Sequence, residues 1–175
     1  MIKVYVWDYL GKKIAWGHAS MHVNERYISW WPQSENRVRS KMSENIYSVL
    51  PVANRTLDDD KRDEAVEGRR NNSQQAKREP NHTIPIEGLD ESAIIEKWNQ
   101  LSVWYGGSNY HGPPSVPWSS LEWNCAKIVA TCLKAGGADE YVSSASRWNL
   151  VWTPKDIKYF ATEIQLGLLR SKEGS

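Results

Sequence analysis

Apolar side chains near the N-terminus recur at every second residue. Ile2, Val4 and Val6 alternate with Lys3, Tyr5 and Trp7, which predicts a strand over 2–7. Gly11-Lys12-Lys13 marks a turn, and a second strand is expected over 14–23. Its odd positions, Ala15, Gly17, Ala19, Met21 and Val23, form the face expected to be buried, and His18, Ser20 and His22 lie on the other. Asn24-Glu25 gives a tight turn, and 26–31 returns as a third strand that Pro32 ends. The pattern is that of an antiparallel meander.

Beyond it the periodicity changes. Residues 47–52 are a further candidate strand, 57–66 an acidic short helix, and 68–82 a solvated polar loop. Asp90 is placed to cap a helix whose Ile94, Ile95, Trp98 and Leu101 share one face. Residues 105–118 are rich in Gly, Pro and Ser and read as a loop. Ser119 and Glu122 have capping-box spacing, and Ile128, Val129, Cys132 and Leu133 then form a stripe that Gly136-Gly137 ends. Thr153, Pro154 and Asp156 open a last helix, with Ile157, Phe160, Ala161, Ile164 and Leu168 facing inward. No repeat or second domain is visible, so the reading is one α+β domain over 1–175.

Composition narrows the function classes. With 22 Lys+Arg against 21 Asp+Glu over 175 residues, the chain lacks the basic field of a nucleic-acid binder. No apolar run approaches the ~20 residues of a membrane span, and residues 1–8 lack the features of a signal peptide, so a cytoplasmic location is expected. Asn-x-Ser/Thr triplets at Asn54, Asn71 and Asn81 are then chance matches. The two cysteines, Cys125 and Cys132, lie about 10 Å apart along a helix, too far for a disulfide. Ten Trp against one Phe is unusual. These rings either line a groove for an apolar substrate or replace Phe in an ordinary core.

Cys125 is the candidate nucleophile. If its helix begins near Asn124, the amide donors and dipole favour a thiolate; if it begins at Ser119, Cys125 lies a turn further in. His18 is the candidate base, with small neighbours Gly17 and Ala19 that permit close packing. His18 and His22 cannot share a zinc ion, being about 13 Å apart on a strand, and no metal is expected. A third group must orient the imidazole. The run Asp58-Asp59-Asp60-Lys61-Arg62-Asp63-Glu64-Ala65-Val66-Glu67 offers several acids.

Gly17-His18-Ala19-Ser20, Tyr27-Ile28-Ser29-Trp30-Trp31-Pro32 and, much later, Asn124-Cys125 together resemble permuted papain-like enzymes, in which the histidine strand precedes the cysteine helix. The lecithin:retinol acyltransferase group and the desumoylating isopeptidases share that order. Asp63-Glu64-Ala65-Val66-Glu67-Gly68, the stretch 84–98, and Asn124-Cys125-Ala126-Lys127-Ile128-Val129 through Gly136-Gly137-Ala138 are most similar to the Rho-inactivation-domain and IcsB group. The likeness covers about residues 14–165 and departs at Ala126, where a small polar residue is expected.

The resemblance implies a permuted papain-like fold, with an antiparallel sheet that carries His18 packed against helices that include the Cys125 helix. It implies Cys125 as nucleophile, His18 as general base and Asp63 as orienting acid, with Glu67 behind it. The implied reaction is lysine Nε-fatty acylation of a protein, such as a membrane-associated small GTPase, with fatty acyl-CoA as co-substrate and no bound cofactor. As an effector the domain would act in the host cytosol. A cysteine protease, isopeptidase or amidase on the same fold, or a non-catalytic Trp-rich binding module, are the competing readings. Trp30, Trp31, Trp104, Trp118 and Trp123 are the groove candidates, and 105–118 is a candidate lid.

Overall fold

The computed structural model describes residues 1–11, 17–30, 56–65, 77–104 and 124–174. Among them lie four strands, β1 (Ile2–Trp7), β2 (His18–Val23), β3 (Arg26–Ile28) and β4 (His82–Ile86), in the antiparallel order β3-β2-β1-β4. The helices are α1 (Leu57–Asp63), α2 (Glu91–Trp104), α3 (Cys125–Ala135), α4 (Ser144–Arg147) and α5 (Pro154–Glu173), with a 3₁₀ turn at Ala138–Glu140. The α+β class and the N-terminal meander are as expected.

Register divides the sheet into two faces. Ile2 pairs with Val23, Val4 with Met21 and Val6 with Ala19, and all six side chains are buried in the main core. Ile84 and Ile86 extend that face on β4, and α2, α3 and α5 cover it. The last helix is built as the spacing predicts. Thr153 and Asp156 form a capping box, Pro154 occupies the first turn, and Ile157, Phe160, Ala161, Ile164 and Leu168 are buried. Asp90 caps α2 by accepting from the Ala93 amide at 2.9 Å.

The opposite face carries Trp7 paired with His18, and Tyr5 paired with Ser20. It too is closed, since Trp7, His18 and Ser20 are all nearly inaccessible. His18 therefore lies on the predicted face but in the interior.

Several expectations need correction. Asp63, not residue 66, ends α1, and β2 runs from His18, while residues 12–16, which include the expected start of the second strand, lie outside the described residues. The stretch 82–86, read as loop and linker, is a strand despite Pro85. Among the described residues β4 is an edge strand and tolerates the missing donor. The helix after the Gly/Pro loop starts at Cys125 with Asn124 as its cap, so it does not start at Ser119. The candidate strand 47–52, residues 105–123 with the proposed lid, and Glu67 lie outside the described residues.

Gly17 fixes the entry to β2. Its φ of +79° is in the left-handed region, and a Cβ there would lie 2.9 Å from the Trp7 carbonyl oxygen and 3.1 Å from the Tyr9 nitrogen. Gly17→Ala is expected to destabilise the protein by about 2 kcal/mol, from backbone strain plus the clash. A urea titration that left the midpoint unchanged would contradict this.

Candidate active site

β2 delivers His18 and α1 delivers Asp60, both essentially inaccessible to solvent. The imidazole Nε2 lies 2.9 Å from Asp60 Oδ2 and 3.0 Å from Ser29 Oγ. The same carboxylate oxygen accepts from the Ser29 hydroxyl at 2.7 Å and the Tyr27 hydroxyl at 2.5 Å. The Trp7 ring flanks the imidazole, with centroids 5.6 Å apart.

Helix periodicity explains why Asp60 is the acid that points inward. Thr56 caps α1 in a capping box with Asp59. Asp60 and Glu64 then follow at i and i+4 on the face that packs against the sheet, and both are buried. Glu64 meets the Arg78 guanidinium at 3.1 Å, and the Arg78 amide donates to the Lys61 carbonyl at 2.9 Å. Arg78 also donates to the Asp8 carbonyl at 2.9 Å, and the Trp7 indole donates to the Arg78 carbonyl at 2.8 Å. These links fasten α1 to the end of β1.

The expected acid, Asp63, is three residues further on, half-buried at the end of α1. The carboxylate against the imidazole is Asp60. Asp63 lies about 60° further around the helix, and about 100° from buried Glu64, on the outer side of the inward pair.

Cys125 is the first residue of α3 and is half-buried. The Asn124 side chain accepts from the Lys127 amide at 2.8 Å and donates to the Trp152 carbonyl at 2.9 Å. One residue thus caps the helix and ties its start to the segment leading into α5. Ala126 is fully buried, so the side chain at the position of departure belongs to the core. Cys132 is buried in the stripe, where desolvation pushes its thiol up to about 12, that of an inert core residue.

The Cys125 side chain is close enough to the His18 imidazole to favour its charged form. Burial is the largest single influence on the imidazole and disfavours its charge. The Asp60 carboxylate and Cys125 together outweigh it and raise His18 to about 10. A helix N-terminus beside an imidazolium is the setting in which a cysteine acts as thiolate.

Of the Trp residues proposed for a groove, Trp30 is buried in the core beside Ile28, contrary to that expectation. Trp31, Trp118, Trp123 and the side chain of Trp104 lie outside the described residues. Ser20, Tyr27 and Ser29 went unassigned from sequence, although period-two alternation on β3 puts Tyr27 and Ser29 on the face opposite Ile28 and Trp30.

Residues 41–174 match the family described as the IcsB middle domain. Over 83 residues, 47% of this chain, the protein is 36% identical to a multifunctional-autoprocessing repeats-in-toxin protein of Vibrio vulnificus. It is 34% identical over 83 residues to the protein of that name from Vibrio cholerae serotype O1. Those alignments span only 1% and 2% of the two toxins, so the likeness is to a small part of each. No solved structure matches the chain. The family match includes Asp60 and Cys125, while His18 precedes it. It extends over most of the sequence, and the chain belongs to the IcsB middle domain family.

Proposed function

We propose that Cys125, His18 and Asp60 are the catalytic unit of a cysteine-dependent acyltransferase that moves a fatty acyl group from acyl-CoA to a protein lysine. The observation that carries this reading is the buried imidazole held by the Asp60 carboxylate, with Cys125, the first residue of α3, near enough to favour its charge. Membership of the IcsB middle domain family supports it, as does the order of histidine strand before cysteine helix, which fits a permuted papain-like arrangement.

The thiolate attacks the thioester carbonyl, and the Cys125 backbone N–H at the start of α3 donates to the oxyanion. His18 protonates the departing CoA sulfur, leaving an acyl-Cys125 thioester and neutral imidazole. His18 then takes a proton from the attacking lysine amine, the amide forms, and the Cys125 thiolate returns. Asp60 keeps the ring oriented and stabilises its charged form throughout. The likeness to a toxin segment makes a host protein the natural acceptor, met in the host cytosol; no helix among the described residues is long and apolar enough to cross a membrane.

Incubation with an alkynyl palmitoyl-CoA tests the first half-reaction. A hydroxylamine-sensitive adduct on Cys125, lost in Cys125→Ser and His18→Ala, is the expected result. No adduct, together with cleavage of a peptide- or isopeptide-linked substrate, would overturn transfer in favour of hydrolysis.

A further inference from the structure

One carboxylate oxygen gathers three polar side chains from this face of the sheet. Asp60 Oδ2 lies 2.9 Å from His18 Nε2, 2.7 Å from Ser29 Oγ and 2.5 Å from the Tyr27 hydroxyl. Tyr27 is itself fixed. Its hydroxyl lies 2.6 Å from Ser20 Oγ, and its ring packs on His22 with centroids 4.7 Å apart. Since Tyr27 donates its proton to Asp60, the Ser20 hydroxyl is the donor to Tyr27. The result is a directed chain, Ser20 to Tyr27 to Asp60, that meets His18 from the other side.

We infer that Tyr27 and Ser29 are positioning residues that act on Cys125 chemistry through Asp60. This rests on the proposed roles of Cys125, His18 and Asp60. Two consequences follow from the geometry. The carboxylate is held in one rotamer, so the imidazole plane stays aligned with the sulfur. Each hydroxyl donor also stabilises the carboxylate's charge and weakens it as a base, so the proton stays on the imidazole instead of moving to Asp60. A tyrosine and a serine at 27 and 29 share a strand face with no other reason to be polar, because Ile28 and Trp30 supply β3's contribution to the core.

The experiment reads the rate of Cys125 alkylation by iodoacetamide across pH in the full chain, which requires neither acyl donor nor acceptor. Tyr27→Phe is expected to slow alkylation at neutral pH about tenfold, with the deficit shrinking toward pH 9, where the thiolate forms without help from the imidazolium. Ser29→Ala is expected to behave alike. Adding Tyr27→Phe to Asp60→Asn should cost nothing more, since Tyr27 acts only through that carboxylate. Ser20→Ala/Tyr27→Phe, which leaves no hydroxyl of the Ser20–Tyr27 pair without its partner, should reproduce the Tyr27→Phe profile with the native melting temperature. A Tyr27→Phe profile identical to the native one, or a loss that multiplies with that of Asp60→Asn, would overturn the inference. If native alkylation were indifferent to His18→Ala, the catalytic pairing itself would fail, which is a separate result.

Discussion

Asparagine in place of Asp60 is expected to lower the rate of Cys125 acylation on the order of 10³–10⁴-fold while the fold survives. The amide has the shape of the carboxylate and still accepts from Tyr27 and Ser29, but it carries no charge to oppose the imidazolium. Burial, which works against the charged ring, then dominates. The sign of the pH effect follows. In the native protein His18 holds its proton up to about 10, so the alkaline limit of the acylation rate lies there. In Asp60→Asn that limit moves down. Asp63→Asn should leave both the rate and the limit at native values. Single-turnover acylation measured from pH 6 to 10 separates the two carboxylates, and a deficit in Asp63→Asn as large as that in Asp60→Asn would refute the assignment.

Removing the imidazole should expose Cys125 as an ordinary thiol. With an unperturbed pKa of about 8.5, only about 0.3% of such a group is thiolate at pH 6. The more basic thiolate is also the stronger nucleophile, which offsets part of that deficit. The balance is a loss of roughly twentyfold in iodoacetamide alkylation at pH 6 for His18→Ala. The difference should shrink toward pH 9, where both proteins present thiolate. Equal rates at pH 6 would mean that the helix terminus alone governs the sulfur.

Elements with one clear period were legible from the chain. β1 and α5 match their expected residues because one face of each is apolar and their ends carry turn or capping chemistry. β4 was hidden because Pro85 argues against a strand, and only its place at the sheet edge removes the objection. Cys125 and His18, the proposed nucleophile and base, were singled out from type, spacing and resemblance. The acid was not, because the run 58–67 offers carboxylates at nearly every helical angle. Choosing among them needs the start of α1. Once Thr56 is recognised as the cap, Asp60 and Glu64, one turn apart, form the inward pair. The ambiguity between Asn124 and Ser119 as helix start was of the same kind, since both residue types cap well. The contact of Asn124 with the Trp152 carbonyl, 28 residues away, is invisible to local pattern.

The site joins three distant stretches of one chain. His18 and Asp60 are 42 residues apart, and Cys125 is brought to them by a helix packed on β2. Contacts of such sequence separation form late in folding, because the loops they close must first lose their freedom. On the proposed catalytic roles, a chain whose sheet has not closed carries an ordinary cysteine, and reactivity is expected only with the completed tertiary structure. Passage of the polypeptide through any unfolded state would leave the chemistry silent until refolding reassembles it.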